Sequence, residues 1–178
     1  YTREIVEKIP FLEGYIYEDV FTGINYLKQI RKIVAVDYIG YYYRVRPNST
    51  MTKSFNEKDL DIFKVGNQLI DSFKDDEDML PYIGYFMFYL GHGHYLKDEI
   101  NKKSPYVDLY EDFIRNAAFI AKQSKEVVRK YRLLRLYLLA PKYYTTIIHP
   151  IYTSLQKRWI AAKKVMKHLN DKLHRGKN

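Results

Sequence analysis

"SPYVDLYEDFIRNAAFIAKQSKEVVRKYRLLRLYLLA", residues 104–140, carries Tyr110, Phe113, Ala117, Ile120, Ser124, Val127, Tyr131, Leu134 and Leu138 at alternating steps of three and four. A helix turns once every 3.6 residues, so this spacing lays them along one face, widened by Ile114, Ala121 and Val128. Ser104 and Pro105 suit an N-cap and the first helical position, and Pro141 cannot continue a helix. The spacing therefore predicts one helix over 105–139, on the order of 50 Å long. Its last turns, 133–139, are apolar nearly all round and should be enclosed.

After a link at 141–150 the same steps return in Tyr152, Leu155, Trp159, Ala162, Met166, Leu169 and Leu173. Two long helices joined this closely predict an antiparallel hairpin over 105–175, with both stripes facing a shared core. The outward positions are basic. Arg115, Lys122 and Arg129 recur every seven residues on the first helix, and Lys157, Lys164, Lys167 and Arg175 lie on the second.

Toward the N-terminus, Val20, Ile24, Leu27, Val34, Tyr38, Tyr41 and Val45 share a helical spacing, although their Val, Ile and Tyr content would also suit strands. Alternation at period two is poor, so helix is the reading. Ser54 to Glu57 has capping-box form for a helix running to about Lys74, with Leu60, Ile62, Phe63, Asn67, Leu69, Ile70 and Phe73 inward. The apolar run at 79–90 predicts a central helix that breaks at Gly91 and Gly93. Together these segments imply an all-α chain: an irregular arm over 1–16, then a single helical domain over 17–178. That domain reads as an antiparallel bundle of four to five helices closed by the C-terminal hairpin.

Composition limits function. The 178 residues are 47% hydrophobic and 29% charged, as in a globular domain, and contain no cysteine. Disulfides, thiolate metal sites and cysteine nucleophiles are thereby excluded. No secretory signal and no run of 18 apolar residues occurs in what is present. Charge is polarised: residues 1–112 carry a net of −5 and residues 113–178 a net of +14. Residues 154–178 alone hold eight Lys or Arg with His168 and His174, against Asp171. An acid run cannot neutralise such an excess, so an acidic partner is expected.

Candidate chemistry is sparse. His92-Gly93-His94, with Asp98 or Glu99, could contribute to a metal site, but nothing completes the three or four ligands required. Asp75-Asp76-Glu77-Asp78 reads as a solvated turn rather than an acid–base pair. No phosphate-binding loop, nucleophile elbow, dinucleotide fingerprint or HExxH motif is present. No catalytic residue, metal, cofactor or small-molecule substrate is expected, and the chain does not read as an enzyme. Lys130 to Arg135, "KYRLLR", resembles the leucine-tyrosine-arginine signature of small helical proteins that serve mitochondrial assemblies. Lys130 stands where that family has leucine, and the motif falls late in a long helix rather than opening the first, so membership is not assigned.

The expectation is thus a structural or accessory subunit that packs against other protein subunits of a larger intracellular assembly, for which the resemblance implies a mitochondrial setting. Tyrosine supplies both apolar area and a hydroxyl that a wet interface edge can satisfy, and the chain has 19. Expected contact residues are Tyr41, Tyr42, Tyr43, Arg44 and Arg46 in one segment, Tyr143 and Tyr144 in another, and the basic positions named above. Structured RNA and anionic lipid are the alternative partners for the basic helices.

Overall fold

The computed structural model describes residues 3–30, 32–42, 44, 55–99, 104–152, 154–155, 158–159, 161–163 and 166, the side chains of 97–99 excepted. It is all-α: no strand occurs among the described residues. The chain divides into two compact units, Tyr1–Val128 and Arg129–Asn178.

The first unit begins with α1 (Arg3–Lys8), an exposed helix held by Arg3–Glu7 and Lys8–Glu4 ion pairs at 2.7 and 3.2 Å. An irregular segment leads to α2 (Glu18–Gln29), and a 3-10 turn (Glu57–Leu60) opens α3 (Asp61–Ser72). Then follow α4 (Leu80–Glu99) and α5 (Val107–Ala121). The core lies among α3, α4 and α5, where Ile62, Phe63, Val65, Leu69, Met87, Phe88, Tyr110, Phe113 and Ile114 are buried. Each such side chain contributes about 1.5–3 kcal/mol when fully buried.

Among the described elements α4 and α5 make the most extensive contact, and small residues make it. A Cβ on Gly84 would sit 2.8 Å from the Ala121 nitrogen and 2.9 Å from the Ala117 oxygen, so here the two backbones meet directly. One heptad on, a Cβ on Gly91 would lie 3.0 Å from Ile114 and Phe113. That packing is why α4 passes through Gly91 instead of breaking there as expected; the helix also runs on through Gly93 to Glu99. The helical cost of a glycine, about 1 kcal/mol, is offset where the partner helix fills its space.

The helix expected over 105–139 is interrupted twice. It ends at Ala121; α6 (Lys125–Lys130) and α7 (Arg132–Leu139) follow separately, and the unit boundary falls within α6. Ser124, read as part of the stripe, acts as a cap: its Oγ accepts from the Val127 N–H at 3.3 Å. Tyr131 is extended, with φ −107° and ψ 98°. Of the turns expected to be enclosed, Leu134 and Tyr137 are buried but Leu139 is exposed.

Two further expectations change. The helix expected from residue 20 to 45 stops at Gln29, and residues 32–42 take neither helix nor strand. Within α2 the inward face is Thr22, Asn25 and Tyr26, while Leu27 is exposed. The turn of that face comes from Tyr26, whose ring meets Phe11 edge-on at 6.3 Å. In α3 the inward set was mostly legible, although Asn67 is exposed. Its cap lies at Asn56, whose Oδ1 accepts from Lys58 N–H while Asp59 Oδ2 accepts from Asn56 N–H; Ser54 is outside the described residues.

In the second unit, Pro141–Tyr143 forms one helical turn and Tyr144–Ile148 a π-helical turn. The described residues from 149 to 166 are helical. Tyr137, Tyr144 and His149 make a small buried aromatic group, with Tyr144 5.6 Å from Tyr137 and 5.5 Å from His149. The stripe expected to be core here is instead exposed at Tyr152, Leu155, Trp159, Ala162 and Met166. Leu169 and Leu173 lie outside the described residues. Among the described residues no helix is long and apolar enough to cross a membrane.

Candidate functional site

One polar constellation is buried in the first unit. Asp59 is fully enclosed, and its carboxylate accepts from the Tyr17 hydroxyl at 3.0 Å, the Asn56 N–H at 2.9 Å and the Asn56 amide at 3.0 Å. His94 Nδ1 lies 3.4 Å from the same hydroxyl, its ring edge-on to Tyr17 at 5.0 Å. Because Tyr17 gives its proton to Asp59, Nδ1 is the donor in that contact. Nearby, Asp61 accepts from the Ile16 N–H at 3.1 Å.

Chemically this cluster is a strut. Burial, then the Asp59 charge, pushes the Tyr17 phenol far above its ordinary range, so the hydroxyl stays protonated. It therefore offers no nucleophile or base. What it does is hold residues 15–17 against the start of α3 and the end of α4. Tyr17 sits in the left-handed region at φ 71°, which costs a side-chain-bearing residue about 1–2 kcal/mol. Its hydrogen bonds offset that cost.

The two histidines weighed as metal ligands have separate surroundings. His92 is buried and its Nδ1 donates to the Phe88 carbonyl at 3.0 Å, whereas His94 meets Tyr17. Among the described residues no group of three or more His, Asp or Glu could hold a metal. In the acidic run, Asp76 caps α4 by accepting from the Met79 N–H at 2.9 Å.

The expected contact residues are dispersed. Tyr41, Tyr42 and Arg44 are exposed in the irregular segment after α2; Tyr43 and Arg46 lie outside the described residues. Ile33, Val34, Val36, Tyr38 and Ile39 join them, so this segment presents seven large apolar side chains that are each between 66% and 83% exposed. None of residues 32–42 makes a backbone hydrogen bond to a described residue. Tyr143 is exposed, but Tyr144 is buried in the aromatic group above and offers no contact surface.

Among the basic positions, Arg115 is exposed and pairs with Asp112 at 3.2 Å. Lys122 is exposed just past α5, its ammonium 4.4 Å from the centre of the Phe119 ring. Arg129 is exposed but belongs to the second unit, so the seven-residue repeat does not lie on one helix. Lys157, Lys164, Lys167 and Arg175 fall outside the described residues. Burial lowers His149 to a pKa of about 4.

Sequence reasoning missed Tyr17, Asp59 and the apolar exposure of 33–42. The spacing of Asn56 and Asp59 was a cap signal two residues beyond the one chosen, but no local pattern links Tyr17 to residues 42 and 77 positions away. No protein-family model matches the chain, and no curated protein or solved structure matches it.

Proposed function

We propose that the chain is a non-catalytic structural subunit of a larger protein assembly. The observation that carries this reading is the segment 32–42, whose apolar side chains are exposed and whose backbone is unpaired among the described residues. Ordering such a segment costs about 1–2 kcal/mol per residue in backbone entropy, and no hydrogen bond to a described residue offsets it. A covering partner supplies both the apolar contact and the hydrogen bonds.

The partner chemistry follows from composition. The segment 32–42 carries Lys32 against Asp37, a net charge of zero, which disfavours RNA and anionic lipid alike. Four tyrosines at 38–43 suit a protein interface. The helical bundle belongs to the same proposal, as the arrangement reached inside the assembly; a hairpin closed over 105–175 does not, since its second stripe is exposed at Leu155, Trp159 and Met166. An intracellular setting belongs to it as well.

The test is to replace Ile33, Val36, Tyr38 and Tyr41 with Ser in the full chain expressed in its own cells. Loss from a heavy complex, with unchanged helicity and melting of the purified protein, is the expected result. Retention in the complex would sink the reading.

A further inference from the structure

The second unit carries a different surface, and we infer that its C-terminal helix lies on an anionic phospholipid surface without crossing it. Ile151, Leu155 and Trp159 step by four residues and Met166 follows seven later, which aligns them on one helical face. These side chains are between 55% and 66% exposed. At 100° per residue Arg158 falls on one flank of the face and Lys163 on the other, and both are exposed.

Charge complementarity selects the occupant. The second unit has thirteen Lys or Arg against Asp171, a net of +12, and no Asp or Glu occurs between Glu126 and Asp171. RNA would satisfy the cations but offers no apolar surface to Ile151, Leu155 and Met166. A lipid interface satisfies both: acyl chains cover the stripe and head groups meet the flanking cations. Trp159 fits the boundary between them. Its ring stands on the stripe with the Lys163 ammonium 3.9 Å from the ring centre, an amphipathic ring with a cation beside it. At helical rise the stretch from 151 to 166 covers roughly 22 Å, enough to lie flat over several head groups but short of a span. This surface is independent of the segment 32–42.

Trp159 is the only tryptophan, so its fluorescence reports this face alone. The full chain is titrated with vesicles of phosphatidylcholine and phosphatidylglycerol at 7:3, with phosphatidylcholine vesicles alone, and with structured RNA and polyglutamate at matched charge. The expected result is a shift of emission to shorter wavelength with the anionic vesicles only, suppressed near 1 M salt, where the screening length falls to about 3 Å. Replacing Arg158→Gln and Lys163→Gln together should weaken partitioning about thirtyfold, with helicity unchanged. Four results would overturn the inference: no shift with anionic vesicles, an equal shift with neutral ones, the same shift with RNA or polyglutamate, or emission already at short wavelength before any addition, which would mean the stripe is covered by another part of the chain or a second copy.

Discussion

Tyr17 and His149 show how single buried groups hold each unit, and each gives a test. Tyr17→Phe keeps the ring but removes the hydroxyl that serves Asp59, leaving a buried carboxylate without that donor. The expected loss is about 1.5–3 kcal/mol, read from urea unfolding. A variant as stable as the parent would mean that this carboxylate is hydrated and the strut is not a structural element. For His149 the sign follows from burial. The unfolded chain takes up a proton near pH 6.5, while the folded one resists until about 4. The contribution of the neutral ring is therefore complete above about pH 6.5 and is lost as pH falls toward 4. His149→Gln should flatten the dependence of melting temperature on pH across that window. Parallel profiles for parent and variant would contradict the assignment.

At the scale of elements, the account rests on the glycine seam between α4 and α5. Gly84→Ala drives a methyl into the Ala117 and Ala121 backbone, which cannot yield as a side-chain end can. A destabilisation of about 1–3 kcal/mol is expected. Gly93 has nothing within 4 Å, so Gly93→Ala should instead stabilise α4 by up to about 1 kcal/mol. Equal effects from the two substitutions, measured by thermal melts, would rule out the close approach. The same seam explains what sequence could and could not reveal. Helical periodicity marked α3 and α5, whose inward faces bury apolar side chains at regular steps, and an unbroken apolar run marked α4. It misread Gly91 as a stop, since a glycine's role depends on Ile114 and Phe113 across the interface. It joined α5, α6 and α7 because Ser124 and Tyr131 fall in register with the stripe, and periodicity does not distinguish a small or aromatic face residue from a cap or an extended link. Residues 30–42 read as helix because β-branched spacing carries no record of whether a local partner exists.

Across the whole molecule, charge and apolar exposure divide differently. The first unit, with a net of −3, exposes its apolar surface in a segment where Lys32 and Asp37 balance; the second, with a net of +12, exposes an apolar stripe flanked by cations. Polarity of charge was legible in the sequence. The exposed stripe was not, because Leu155, Trp159 and Met166 have the same spacing whether they face a core or a partner. Two such surfaces on one chain of 21.4 kDa are the physical basis for reading it as a component rather than a free-standing domain. The most direct measurement is the native mass of the endogenous chain in gently solubilised cells, by sedimentation and native electrophoresis. Assembly membership predicts migration far above 21.4 kDa, with release of the chain when Ile33, Val36, Tyr38 and Tyr41 are replaced by Ser. Migration of the parent chain alone, near its own mass, would contradict it.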